Sequence, residues 1–324
     1  MPDIGITPGG LLSGKRGLVM GVANERSLAW GIARIAAAHG AHLALSYPNE
    51  AVGRRVRSLA PKLGAVELLQ CDVGSDDDLD RMAAELSRLW PDQPIDFVVH
   101  AVSYSDKTEL VGPYVQTSRR NFALALDLSC YSFTAVAQRI APLMRHGGSL
   151  LTLTYLGSER VVPHYNVMGV AKAALEASVR YLAVDLGRQN IRVNAISAGA
   201  VKTLASSGVS GMRHLVKWAE ANAPLKRNTT IDDVGRAALS LISDLGQGIT
   251  GEIVHVDNGY NIVGMVAIDE ALRSAPVLVE IGQQVERQKE AAAETLAKGV
   301  GTPHQEQEWC PETSRHKSFS SESE

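Results

Sequence analysis

A phenol and an amine stand seven positions apart in the run "YNVMGVAKAALEASVRYLAVDL", as Tyr165 and Lys172. Apolar residues recur along it at helical spacing, so the run is read as an amphipathic helix over 165–187. Seven residues at about 100° each turn the chain through about 700°, which places both side chains on one face, about 10 Å apart along the axis. A spacing of four would shorten that to about 6 Å. An ammonium so close to a phenol lowers its pKa and fits it to protonate a developing alkoxide. The wider spacing weakens this coupling. It suits the phenol to donating a hydrogen bond to an oxyanion that is not itself the atom receiving hydride. The enolate oxygen of a conjugated thioester is one such oxyanion, with hydride arriving at the β-carbon. A second phenol, Tyr155, directly follows the apolar run 149–154, whose hydroxyls Thr152 and Thr154 lie inside it. Singly, a tyrosine on an apolar helix face is ordinarily a core residue, and a mid-helix lysine a solvated one. Their order behind the elements described next gives them a function.

Continuous apolar runs at 17–23, 41–47, 65–71, 95–101, 149–154, 191–197 and 252–256 alternate with helical patterns near 29–39, 50–60, 76–89, 117–144, 165–187 and 231–244. Unbroken apolar strands are buried on both faces, as in a parallel sheet. The alternation predicts an α/β fold: a Rossmann-like, doubly wound parallel sheet of about seven strands in a single domain. Ligands of such sheets bind beyond the carboxyl ends of the strands.

The first unit, "GVANERSLAWGIARIAAAHGAHLALSY", has the strand–turn–helix–strand plan of a dinucleotide site, although only Gly21 and Gly31 of the usual glycines are present. Gly21 permits a sharp exit from the strand, and Ser27 and Ala29 are small enough for backbone amides to approach a pyrophosphate at the helix start. Asp72 and Val73 follow the third strand, where the carboxylate is read as an acceptor for an adenine amino group ahead of a helix N-cap. Ala101 and Ser103 let the fourth strand's exit pass close to a ribose. After the second strand, "SYPNE" offers neither a carboxylate for ribose hydroxyls nor an immediate Arg for a 2′-phosphate; Arg54 and Arg55 come later and read as solvated helix charges. NADH is therefore expected ahead of NADPH. Thr203, after the sixth strand, is placed to bond the pyrophosphate or the nicotinamide amide.

With 21% charged residues and a net charge of −3 over 324 residues, neither nucleic acid nor an anionic membrane is expected as partner. Cys71, Cys130 and Cys310 read as isolated thiols, and no metal site is expected. Without a leader-like start or a membrane-length apolar run, the expected location is the cytoplasm. The domain reading is an arm at 1–12, a dinucleotide-binding domain at 13–268 with a flap at 198–228, and a polar, partly disordered extension at 269–324. The extension carries a polar helix pattern in "QVERQKEAAAETLAKGV", and Trp309 and Cys310. The Gly- and Ser-punctuated flap is amphipathic, as a closing lid should be. Lys202, Arg213, Lys217, Lys226 and Arg227 cluster around it and would attract an acidic partner, or simply form a mixed-charge surface.

Tyr155-x9-Tyr165-x6-Lys172, the phosphate loop "GVANERSLAWGIA" and "NAISAGAVKTLASSG" together resemble the bacterial enoyl-acyl-carrier-protein reductases of the short-chain dehydrogenase/reductase superfamily, over residues 13–268. The resemblance implies reduction of trans-2-enoyl thioesters on acyl carrier protein with NADH, in a homotetramer. It implies that Tyr165 bonds the thioester carbonyl, Lys172 holds the nicotinamide ribose, and Tyr155 supports the substrate. It implies dinucleotide contacts at Gly21, Ser27, Leu28, Asp72, Val73 and Val102. Val201 and Thr203 are counted with the cofactor, and Ser105 with the substrate. Ala200 stands where the family usually has proline, and Ser103 where some relatives have glycine. The alternatives are a carbonyl or alcohol dehydrogenase of the same superfamily, disfavoured because Met168 occupies the position four before Lys172, and a non-enzymatic cofactor-sensing relative.

Overall fold

The computed structural model describes residues 9–201, 203, 212–265 and the single positions 283, 286, 287 and 290, without the side chains of 212–214. The chain divides into two units, Met1–Ser274 and Ala275–Glu324. In the second, Gln283, Glu286, Arg287 and Glu290 are helical and exposed. The first eight residues of the arm, Trp309 and Cys310 lie outside the described residues.

Seven strands, β1 (Arg16–Met20), β2 (His42–Tyr47), β3 (Val66–Gln70), β4 (Phe97–His100), β5 (Gly148–Thr154), β6 (Ile191–Ala198) and β7 (Ile253–Val256), form one parallel sheet in the order β3-β2-β1-β4-β5-β6-β7. The order reverses between β1 and β4, which opens a crevice at their carboxyl ends. Helices α1 (Leu28–Ala38), α2 (Glu50–Leu59) and α8 (Ile231–Ile242) contribute to the core on one face; α3 (Asp76–Leu89), α5 (Ser132–Ile140) and α6 (Val167–Gly187) contribute to that on the other. Val19, Phe97, Val99, Leu151 and Ile196 point to the first core, while Leu18, Met20, Val98, Leu150 and Val193 point to the second. Both faces are covered, which is why the strands read as unbroken apolar runs. Helices α1 and α8 cross closely because both carry glycine there: a Cβ on Gly31 would lie 2.4 Å from the Ile231 carbonyl oxygen. Among the described residues no helix is long and apolar enough to cross a membrane.

Two helical expectations need correction in detail. The stretch 117–144 is helical without a break over 119–143, but a π turn at Asp127–Tyr131 interrupts the α winding and divides it into α4 (Arg119–Leu126) and α5. The extra residue of that turn accompanies Ser129, whose hydroxyl bonds both the amide and the carbonyl of Tyr104, each at 2.9 Å. The second correction concerns Tyr165, which is not on α6. That helix starts at Val167, and His164 and Asn166 have positive φ, 61° and 43°. Asn166 is held there by its side-chain amide, which donates to the carbonyls of Leu110 and Gly112 at 3.1 and 3.0 Å. The relation of Tyr165 to Lys172 is therefore set by a pinned turn rather than by two turns of helix. The remaining α-helix among the described residues, α7 (Met212–Asn222), lies within the flap segment 198–228.

Candidate active site

The residues with expected roles gather at the carboxyl end of the sheet, on the exits of β1, β3, β4, β5 and β6. Gly21 leaves β1 with φ 95°, and a Cβ there would lie 2.1 Å from the Ala101 carbonyl oxygen. Glycine is required on both counts. The following turn folds around Ser27, whose buried hydroxyl accepts from the amides of Ala23 and Asn24 at 3.0 and 3.1 Å. Helix α1 then begins at Leu28 with no acidic residue in its first turn, and its N-terminal amides and the positive end of its dipole fit a pyrophosphate.

Asp72 and Val73 lie past β3. Asp72 is exposed, with Oδ1 accepting from the Gly74 amide at 3.0 Å, and it does not cap α3; Ser75 does, accepting from the Asp78 amide. Val102 packs partly buried against the second core. Ser105 is turned inward: it is buried, and its hydroxyl donates to Asn121 Oδ1 at 3.2 Å, which also accepts from the Asp106 amide at 2.9 Å. Val201 and Thr203 are half-buried beyond β6, with the Thr203 amide donating to the Val201 carbonyl at 2.9 Å. Arg54 and Arg55 are exposed on α2, as solvated charges. Of the basic cluster, Arg227 pairs with Asp233 at 2.6 Å and Lys226 donates to the Ala221 carbonyl at 3.0 Å; Lys202, the Arg213 side chain and 204–211 of the flap lie outside the described residues.

The reactive groups sit at the mouth of β5. Tyr155 follows the strand's last residue, and its ring meets that of Tyr165 edge-on, with centroids 5.0 Å apart. Gly157 makes room for this pair, because a Cβ there would lie 2.3 Å from Tyr165 Cδ1. Burial, reinforced by Tyr260, pushes the Tyr155 phenol up to about 12. Burial also raises Tyr165, with Tyr155 and Glu176 adding to the effect. Both phenols are neutral at physiological pH and can act only as hydrogen-bond donors and acceptors, not as phenolate bases. Lys172, 6% exposed on α6, donates one N–H to the Leu153 carbonyl at 2.9 Å. Burial brings it down to about 8, opposed by Cys130 and by Glu176. At neutral pH it remains mostly ammonium, with further N–H donors for a ligand.

Sequence reading did not find the buried polar residues behind this mouth. His100 is fully buried, its ring nitrogens facing Thr152 and Ser132 hydroxyls at 3.3 and 2.9 Å, and burial keeps it neutral by pushing it down to about 3. Glu176 is buried on α6 and accepts from Thr154 Oγ1 at 2.6 Å. The available signal was its position, one helical turn after Lys172 on an otherwise apolar face.

The sequence pattern of the family described as "Enoyl-(Acyl carrier protein) reductase" matches residues 21–261. The chain is 58% identical over 260 residues to enoyl-acyl-carrier-protein reductase (NADH) 1 of Rhizobium meliloti strain 1021, covering 80% of this chain and 95% of that protein. It is 48% identical over 257 residues to the enoyl-acyl-carrier-protein reductase (NADH) of Escherichia coli strain K12, covering 79% and 97%. The crystal structure of the Anaplasma phagocytophilum reductase in complex with NAD superposes with a TM-score of 0.77 at 56% identity, over 81% of this chain and 97% of that one.

Proposed function

The chain belongs to the enoyl-(acyl carrier protein) reductase family, and from that premise we propose that it reduces the trans-2 double bond of enoyl-acyl-carrier-protein thioesters with NADH. The observation that carries the site assignment is the pair of neutral phenols packed edge-on at the mouth of β5, with a buried ammonium on α6. When bound, NADH supplies the hydride that reaches the substrate's β-carbon. Tyr165 donates a hydrogen bond to the thioester oxygen, where negative charge collects as the enolate forms. Its raised pKa makes it a stabilising donor that keeps its proton, so the proton for the α-carbon comes from solvent, while Lys172 would hold the nicotinamide ribose. Tyr155 supports Tyr165 and the substrate through the edge-on ring contact. Gly21, Ser27 and Leu28 shape the pyrophosphate cradle, Asp72, Val73 and Val102 border the adenosine, and Val201 and Thr203 border the nicotinamide. Ser105 acts on the substrate side through the loop it braces on Asn121 rather than through a free hydroxyl.

Acyl carrier protein is the substrate's carrier, and the flap at 198–228 with its basic residues is proposed as its landing side. A homotetramer assembled through α4–α6 is supported by exposed Tyr131, Tyr181 and Val184 on those elements. The further proposals are a cytoplasmic location and a domain layout of an arm at 1–12, a reductase at 13–268 and a polar extension at 269–324. The test is spectrophotometric: NADH and NADPH oxidation with crotonyl thioester against a panel of ketones. Thioester-dependent NADH oxidation is expected; turnover of ketones alone would overturn the reading in favour of a carbonyl dehydrogenase.

A further inference from the structure

The Glu176 carboxylate takes no part in the chemistry above, yet it is 7% exposed in the middle of it. A buried carboxylate is costly unless charge and hydrogen bonds compensate it. Glu176 follows Lys172 by one turn of α6, on the same helical face. The two side chains grip consecutive residues of β5: Lys172 Nζ donates to the Leu153 carbonyl at 2.9 Å, and Glu176 accepts from the Thr154 hydroxyl at 2.6 Å. The next residue is Tyr155. This clamp therefore fixes the amine-bearing turn of α6 against the strand end that presents the first phenol.

The other titratable groups around Lys172 are the Cys130 thiol from the π turn, the His100 imidazole from β4, and the Tyr155 and Tyr165 phenols at the mouth of β5. His100 is held neutral by burial. Glu176 brings the carboxylate to this cluster, one helical turn from Lys172 on the same face of α6 and tied to the next residue of β5. We propose that Glu176 is a positioning residue, whose carboxylate keeps the buried Lys172 side chain charged and fixed at the end of β5 for the nicotinamide ribose. This rests on the reading of Lys172 as the ribose-holding residue, but its test does not depend on turnover.

The test compares the full chain with Glu176→Gln, which preserves shape and an acceptor for Thr154. Competitive acetylation of Lys172, followed by mass spectrometry across pH in cofactor-free protein, reads its titration directly. The wild-type midpoint is expected near about 8. Removing the negative charge should lower it by about one pH unit, and Glu176→Asp should recover most of the shift. NADH affinity, read by fluorescence, should lose its alkaline limb at correspondingly lower pH in Glu176→Gln while persisting at pH 6. An unmoved midpoint, or an affinity loss equal at every pH, would reduce Glu176 to a packing residue and overturn the proposal. So would a midpoint that moves with Cys130→Ser and not with Glu176→Gln. If Glu176→Gln does not fold, Lys172→Met and the double variant decide. The double variant should melt above Lys172→Met, because removing both charges leaves none unpaired; a lower melting temperature overturns the proposal. Wild-type protein inactive on enoyl thioesters would sink the proposed function while leaving the Lys172 titration intact, so the two failures are distinguishable.

Discussion

Gly157 offers a way to move the Tyr165 ring without touching its hydroxyl. It is the middle residue of the helical turn Leu156–Ser158, just past Tyr155. Its φ lies outside the positive range, so alanine adds no backbone strain there. The added Cβ would lie 2.3 Å from Cδ1 and 2.8 Å from Cε1 of Tyr165. Carbon atoms ordinarily sit about 3.5–4.0 Å apart, so the ring must retreat by roughly 1–1.5 Å. Overpacking of this kind costs about 1–3 kcal/mol, and in a domain of this size each kcal/mol lowers Tm by about 2–4 °C. Misplacing a catalytic group by about 1 Å costs on the order of 100-fold in rate. Gly157→Ala should therefore fold, melt several degrees lower, and lose about 100-fold in kcat with crotonyl thioester. NADH affinity should stay near wild type, since the three atoms nearest the new methyl all belong to the Tyr165 ring. Steady-state kinetics with fluorescence titration of NADH reads both. A variant with near-normal kcat and weakened NADH binding would refute the placement of Tyr165 on the substrate side.

Gly21→Ala meets the Ala101 carbonyl at 2.1 Å in a backbone conformation that disfavours a Cβ, so NADH binding measured by fluorescence should be lost along with stability. His100 is depressed from 6.5 to about 3 in the folded chain, whereas the unfolded chain takes up the proton near 6.5. Its contribution is thus present above about pH 6.5 and lost as pH falls toward 3; denaturant unfolding of His100→Asn should show a weaker acid dependence than wild type. Phe97→Ala empties a fully buried site that Gly17 leaves open for the ring, and should cost about 3–5 kcal/mol in urea unfolding.

The sheet was legible because burial on both faces writes each strand as an unbroken apolar run, and the described strands fall within a residue or two of those runs at most ends. What escaped was set by partners distant in sequence. Asn166 ends the regular run because its amide is bound by Leu110 and Gly112, more than fifty residues away, so helical periodicity alone carried the helix back to Tyr165. The π turn exists alongside the Ser129 clasp on Tyr104, a contact that leaves no trace in spacing. At Asp72 both local possibilities were open, and the capping one fell to Ser75, three residues on. The order of Tyr155, Tyr165 and Lys172 was visible in the sequence, but the geometric argument from two helical turns was wrong. The phenols meet because a pinned turn and Gly157 bring them together.

The central claim is that Tyr165 stabilises charge on a thioester oxygen, and replacing its hydroxyl by hydrogen tests it most directly. Tyr165→Phe keeps the edge-on ring contact, so NADH affinity and Tm should remain near wild type. Its kcat for enoyl thioester should fall by about 10²–10³, as loss of one oxyanion donor costs. Wild-type kcat in that variant would contradict the account.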